Sequence, residues 1–170
     1  MADTNKPRNV IQPTTAEAVA EARRLLAEAR HAALAVLDRD SGWPLVSRVG
    51  IATDEDGTPL ILVSWLSAHT GALMKDARCS LLVGEPGKGD PLAYPRAMIR
   101  ARAEPVDPAG ADFGRVRERY LAHQPKASLY AGLPDFRYFR LVPEQVALNG
   151  GFGKAFQFAG EALLKGQDAH

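Results

Sequence analysis

Leu60-Ile61-Leu62-Val63-Ser64-Trp65-Leu66-Ser67-Ala68-His69-Thr70-Gly71-Ala72-Leu73-Met74-Lys75 changes its period halfway along, and that change decides how the rest is read. The run from Leu60 to Trp65 is short and almost continuously apolar, the pattern of a buried strand. From Ser67 the spacing becomes helical, with Ser67 placed as an N-cap. A helix that starts there presents backbone N–H groups without intrahelical acceptors and a partial positive charge, so the hydroxyls of Ser67 and Thr70 would complete a pocket for an anion. Arg48, in the strand expected upstream, would add a bidentate guanidinium contact. The same pattern fits a plainer arrangement, in which Ser67 and Thr70 only cap a helix, Arg48 is solvated and His69 is a surface imidazole. By spacing alone that plainer arrangement outweighs the other.

Working upstream, Trp43 to Ala52 reads as the preceding strand, set off by the tight turn Asp54-Glu55-Asp56-Gly57. Ala32 to Leu37 is the strand before it, joined through Asp38-Arg39-Asp40-Ser41-Gly42. Three hairpin-linked strands make a meander. Ahead of them Thr14 and Glu17 stand at capping-box spacing, and Ala18, Ala22, Leu25, Leu26 and Ala29 share one face of a helix reaching about Arg30. Residues 1–13 are expected to be a flexible arm.

Downstream, Arg78 to Val83 returns as strand, Gly84 to Pro91 is a loop, and Ala93 to Val106 a long strand with clear alternation. A helix over Pro108 to Ala122 follows, with Asp107 as its cap and Phe113, Val116, Tyr120 and Leu121 as its stripe. Ala127 to Tyr130 adds a helical turn. Phe136 to Val142 and Gln145 to Leu148 read as the last two strands, leading into Gly150-Gly151-Phe152-Gly153-Lys154-Ala155. The whole is one domain over 14–160 with a polar tail, 161–170. Its class is mainly β with helices (α+β), an antiparallel barrel, closed or partly closed.

A chain of 170 residues, 46% hydrophobic and 24% charged, buries one core. Its 21 basic and 20 acidic side chains are spread without a polybasic block, which argues against a nucleic-acid partner. Cys79 is the only cysteine, so neither an intrachain disulfide nor a thiolate cage is available. No apolar run is long enough to cross a bilayer and no apolar region follows the polar start, so a cytoplasmic protein without a membrane partner is expected. No histidine pair has metal-ligand spacing, and His31 and His123 read as helix C-terminal residues favoured by the dipole. The glycine loop fails the P-loop pattern at Gly153-Lys154-Ala155. Its glycines instead allow positive φ and close approach to a ligand or strand.

Pro44-Leu45-Val46-Ser47-Arg48-Val49, together with Leu62 to Thr70, resembles the pyridoxamine 5′-phosphate oxidase-like family of FMN-binding split barrels. Gly89-Asp90-Pro91-Leu92-Ala93-Tyr94-Pro95-Arg96 and Gly150 to Ala155 resemble its haem-utilisation branch, the HugZ type. The likeness runs from about Ala16 to Ala159. It implies a split β-barrel homodimer with FMN in a groove between subunits. By position Arg48 and Val49 would meet the flavin, Ser64 and Leu66 would lie beside the ring, and Ser67, His69 and Thr70 would hold the phosphate. Arg96 would reach the cofactor or the partner subunit, with an exposed strand-start arginine as the alternative. Phe152 and Lys154 would close over the flavin edge, with core packing as the alternative for Phe152. Related oxidases usually carry a lysine where this chain has His69 or Thr70, which shifts phosphate binding toward hydroxyls and backbone. The implied activity is that of an FMN-dependent oxidoreductase on a small molecule. The alternatives are haem binding or breakdown, for which the branch's additional C-terminal domain is not expected here, and a non-catalytic flavin-binding dimer. The closing Arg-Leu-x-Pro segment of a true pyridoxamine-phosphate oxidase has only a loose echo in Arg140-Leu141-Val142-Pro143.

Overall fold

The computed structural model describes residues 10–166. Along the chain lie β1 (Ile11–Gln12), α1 (Ala16–Glu28), β2 (His31–Leu37), β3 (Pro44–Thr53), β4 (Pro59–Ser64), α2 (Ala68–Lys75), β5 (Arg78–Val83), β6 (Arg96–Pro105), α3 (Phe113–His123), β7 (Phe136–Asn149) and β8 (Ala155–Ala159). Strands β7, β4, β3, β2, β5 and β6 are neighbours in that order, and β6 pairs back onto β7. The six therefore close into an antiparallel barrel, which removes the free sheet edges that an open meander would expose. The expected barrel and the meander β2–β3–β4 are both present.

Strand alternation sets the inside and the outside. Ala32, Leu34 and Val36 of β2 and Ala97, Ile99, Ala101 and Ala103 of β6 point into the barrel and are buried. α1 adds Ala18, Ala22, Leu25 and Leu26 to the same core. β4 is buried on both faces: Ile61 and Val63 join the barrel core, while Leu60 and Leu62 pack outward under Val116 and Tyr120 of α3. Tyr120 and Tyr138 meet edge to face there, with centroids 5.6 Å apart.

Cross-strand partners trace a belt around the outside. Phe136 faces Ser64 on β4, and β3 pairs with β4 from Thr53 opposite Pro59 as far as Ile51 opposite Ile61. Arg48 faces Ala33, Ala33 faces Leu82, Leu82 faces Met98, and Met98 faces Ala147. The belt leaves β7 at Phe136 and rejoins the same strand at Ala147. That offset is the stagger that strongly tilted barrel strands require.

Several local expectations are corrected. Thr15, not Thr14, caps α1 by accepting from the Ala18 amide at 3.1 Å, and Thr14 donates instead to the Gln157 carbonyl. α3 starts at Phe113 after Asp112, because Asp107 turns its carboxylate onto Ala109 N–H and closes a separate turn. The two last strands are one continuous β7, since Pro143 sits at a register shift, a bulge that needs no ladder N–H. Two strands were missed. β1 lies within the expected arm and pairs in parallel with β8, itself hidden behind the glycine loop. Of that arm, residues 1–9 lie outside the described part, as do 167–170 of the expected tail. Leu163, in a 3-10 turn over Gly160–Leu163, is buried in the barrel core.

Candidate anion corner and its neighbours

The corner at the end of β4 is built by hydroxyls. Ser67 sits at the N-cap of α2, yet its side chain makes no capping bond. It donates instead to the Ser64 carbonyl at 2.7 Å, and Thr70 Oγ1 donates to the same oxygen at 2.8 Å. The two hydroxyls are 2.7 Å apart. Thr70 is buried. Because the cap hydroxyl is turned away, the first amides of α2, those of Ala68 and His69, have no acceptor among the described residues. His69 reaches across to β3: its Nε2 stands 3.0 Å from Ser67 Oγ and its Nδ1 3.2 Å from Ser47 Oγ. Burial holds the imidazole below its usual pKa.

Arg48 projects outward from β3 beside this cluster, and its guanidinium has no hydrogen bond or ion pair among the described residues. A free guanidinium on β3, one residue along from the Ser47 that His69 reaches, and two free amides at the start of α2 are donors of the kind that suit a phosphate or another anion. Ser64 is fixed from the other side, its Oγ donating to Asp135 Oδ2 at 2.7 Å and accepting from Leu66 N–H. Leu66 is 85% exposed, so it offers an apolar surface beside the corner. Val49 differs from expectation: its side chain is buried in the barrel core, leaving only its backbone for a ligand.

Arg96, Phe152 and Lys154 form a second group. Arg96 opens β6 opposite Asn149, which in turn faces Ala155 across the glycine loop. The Arg96 guanidinium donates to the carbonyls of Leu92 and Tyr94. Gly151, at φ +105°, passes so close to the Ala93 carbonyl that a Cβ would lie 2.9 Å from it. Phe152 is 75% exposed, which excludes core packing for it. Along the belt, three strand steps from Arg48 lead to Met98, and Arg96 lies two residues further along β6, so the two groups are separate on one chain.

One residue escaped the sequence reading, and two histidines have partners it did not give. Asp135 lies in a turn whose only signal is the Pro-Asp pair, and only the fold brings it to Ser64. His31 is not a helix end but the first residue of β2, its Nε2 2.9 Å from Glu85. It borders a groove of about 320 Å³ shared with Ser47, Arg48, Leu82 and Glu85. His123 ends α3 as expected, but its ring bonds the Ala29 carbonyl at the end of α1.

Barrel and corner together define a small β-barrel protein with a hydroxyl-lined corner at the end of β4 and an unpaired arginine on the adjoining strand. The chain belongs to the pyridoxamine 5′-phosphate oxidase family, whose model matches residues 18–150. Among curated relatives it is 35% identical over 120 residues to the non-canonical heme oxygenase HOZ, chloroplastic, of Arabidopsis thaliana, a match covering 71% of this chain and 36% of that protein. The chain thus spans about a third of that relative's length. The structure of a heme binding protein from Mycobacterium smegmatis is 30% identical with a TM-score of 0.78, covering 90% of this chain and 61% of the other. A FAD-binding protein from Mesorhizobium loti, 17% identical, shares the fold at a TM-score of 0.64 over 80% or so of this chain (79%) and 94% of its own. Among the described residues no helix is long and apolar enough to cross a membrane.

Proposed function

We propose that this protein binds FMN by its phosphate and works as an FMN-dependent oxidoreductase on a small molecule, at a site shared between two copies of the chain. The observation that carries the reading is the unpaired Arg48 guanidinium beside the free amides of Ala68 and His69. The free donors suit a dianion, since the Arg48 guanidinium and the amides of Ala68 and His69 are unpaired, and the Asp135 carboxylate at the other side of Ser64 is engaged by its hydroxyl. When bound, FMN supplies the redox chemistry through its ring. The chain's own part is to bind and orient it: Arg48 and the backbone amides of Ala68 and His69 hold the phosphate, Ser67, Thr70 and the His69 ring fix the shape of that corner, and Ser64 and Leu66 flank the ring. No side-chain acid or base is needed for that role.

The two-copy reading is supported by the outer face. Val46 is 70% exposed beside the small Ala33 and Ala35 and the half-exposed Leu82, an apolar patch next to Arg48, and Trp43, 71% exposed, stands at the hairpin end of the same strand pair. On this reading Arg96, Phe152 and Lys154 of a second copy seated there complete the site.

Haem is the second reading. It is favoured by the relatives named for haem and by His31 with Glu85 at the far end of the Arg48 groove. The visible spectrum separates the two. Protein mixed with FMN should quench flavin fluorescence and retain flavin bands after gel filtration. A Soret band with haem and no retained flavin would replace the first reading by the second, and neither signal would overturn both.

A further inference from the structure

A carboxylate and a guanidinium share the groove on the outer face without meeting. Directly opposite residues of an antiparallel pair lie on one face, so His31, opposite Gly50, and Arg48, opposite Ala33, are diagonal neighbours on the outside of the barrel, a separation that long side chains bridge. Glu85 enters the same groove from the loop after β5. Its backbone is set by Gly84, which has a φ of +115° and packs so tightly on the Pro95 carbonyl that a Cβ would lie 2.5 Å from it, an approach that only glycine allows. Tyr94 Oη donates to the Lys88 carbonyl at 2.7 Å and ties the loop to itself. An ionised carboxylate only accepts, so Glu85 takes the Nε2 hydrogen of His31 at 2.9 Å. Arg48 has no partner among the described residues. The acid that could neutralise it is engaged by the imidazole instead. The other charged side chains that border His31, Arg24 and Glu28 of α1, pair with each other.

We propose that His31 is a positioning residue that keeps Glu85 off Arg48 and so leaves the guanidinium free for a phosphate. With the imidazole gone, the Glu85 carboxylate turns to Arg48, and an incoming phosphate must first displace that ion pair. Both partners of the competing pair are exposed, so the handicap is that of a surface ion pair, a few-fold in affinity. His31 touches neither cofactor nor substrate in this role and acts only through Glu85. Neutral imidazole serves as well as imidazolium, because Nε2 carries a hydrogen in either form when it faces a carboxylate. The proposal rests on the reading of Arg48 as the residue that grips the FMN phosphate, and it adds His31 and Glu85 to the groups that set the affinity there.

The test is fluorescence titration of the full chain with FMN and with riboflavin at neutral pH, in wild type, His31→Ala, Glu85→Gln and the double variant. His31→Ala should bind FMN about threefold to fivefold more weakly and riboflavin unchanged. Adding Glu85→Gln to it should restore the wild-type FMN affinity, which the loss of a folding contact or of a direct phosphate contact would not allow. Glu85→Gln alone should bind FMN at least as tightly as wild type. Proton–nitrogen spectra of the ligand-free proteins give a readout that needs no flavin: the Arg48 Nε–H signal should move in His31→Ala and return in the double variant. An unchanged FMN affinity in His31→Ala, or a loss that Glu85→Gln does not restore, overturns the proposal and leaves Arg48 as the phosphate residue. A wild type that does not prefer FMN to riboflavin overturns the phosphate site itself, and the Arg48 signal then still decides whether His31 holds Glu85 away from it.

Discussion

Ser47 Oγ and His69 Nδ1 stand 3.2 Å apart, a bond that ties strand β3 to the first turn of α2. Twenty-two residues separate the two in sequence, and a hairpin, a buried strand and a tight turn must all form before they meet. The anion corner is thus a product of the barrel and not of a local motif. Substitutions that loosen the barrel should weaken ligand binding even when they touch no corner residue.

Asp54 provides one such case. Its carboxylate is 1% exposed and is paired with Arg115 of α3 and, at 3.0 Å, with Arg140 of β7. Arg140 also donates to Asp56 at 2.7 Å, so the β3–β4 turn is clamped to the outer layer. Asp54→Ala should cost about 3 kcal/mol in urea unfolding, the low end for a broken buried pair because both arginines keep some access to water. Arg115→Ala should cost less, since Arg140 still answers the carboxylate. Equal costs would contradict the clamp.

Two glycines should respond in opposite directions. A Cβ on Gly160 would lie 2.3 Å from the backbone of Pro143, and backbone does not yield. Gly160→Ala should therefore destabilise by about 3 kcal/mol through overpacking. Gly114 lies near the start of α3 with open space around it, so Gly114→Ala should stabilise by up to about 1 kcal/mol from helix propensity. Thermal midpoints of the two variants, moving apart around the wild type, are the expected result.

Asp76 sets an acid limit. Hydrogen bonds from Arg78, with Arg39 adding its charge, hold this carboxyl well below the ordinary aspartate value of 3.8. A group whose pKa is lower in the folded state stabilises the fold above the unfolded value and loses that contribution as pH falls through the folded one. Wild type should therefore exceed Asp76→Asn in urea midpoint at pH 7, and the gap should begin to shrink only once the pH drops below about 3.8. A gap that closes between pH 7 and 5 would assign it to another group.

The apolar outer face should be covered by a second copy. Val46→Glu, placed beside Ala33, Ala35 and Leu82, should shift sedimentation from dimer to monomer and lower FMN affinity together, while urea stability changes by under about 1 kcal/mol. A dimer that persists unchanged would remove this face as the interface.

Much of the fold was legible because its elements are periodic: the alternation in β6 and the turn residues at Gly42 and Gly57, both at positive φ, mark strands and hairpins directly. What escaped depends on long-range pairing. β1 has two residues and no pattern of its own, and it exists because β8 offers it an edge. Pro143 argues for a break in β7 until a bulge gives it a place without a ladder bond. At the corner the residue types were readable, but their orientation was not. Nothing in Ser67 says that its hydroxyl turns back to Ser64 and leaves the helix amides free, and Val49 turns inward by strand parity that depends on where β3 begins. The His31–Glu85 pair joins positions that meet only across the β2–β5 register.

The most direct measurement compares FMN with riboflavin by fluorescence titration in wild type and Arg48→Ala. If Arg48 grips the phosphate, the variant should lose roughly tenfold or more in FMN affinity and little in riboflavin affinity, collapsing the preference between the two. An equal loss for both flavins, or a wild type that does not distinguish them, would contradict a phosphate seated at this corner.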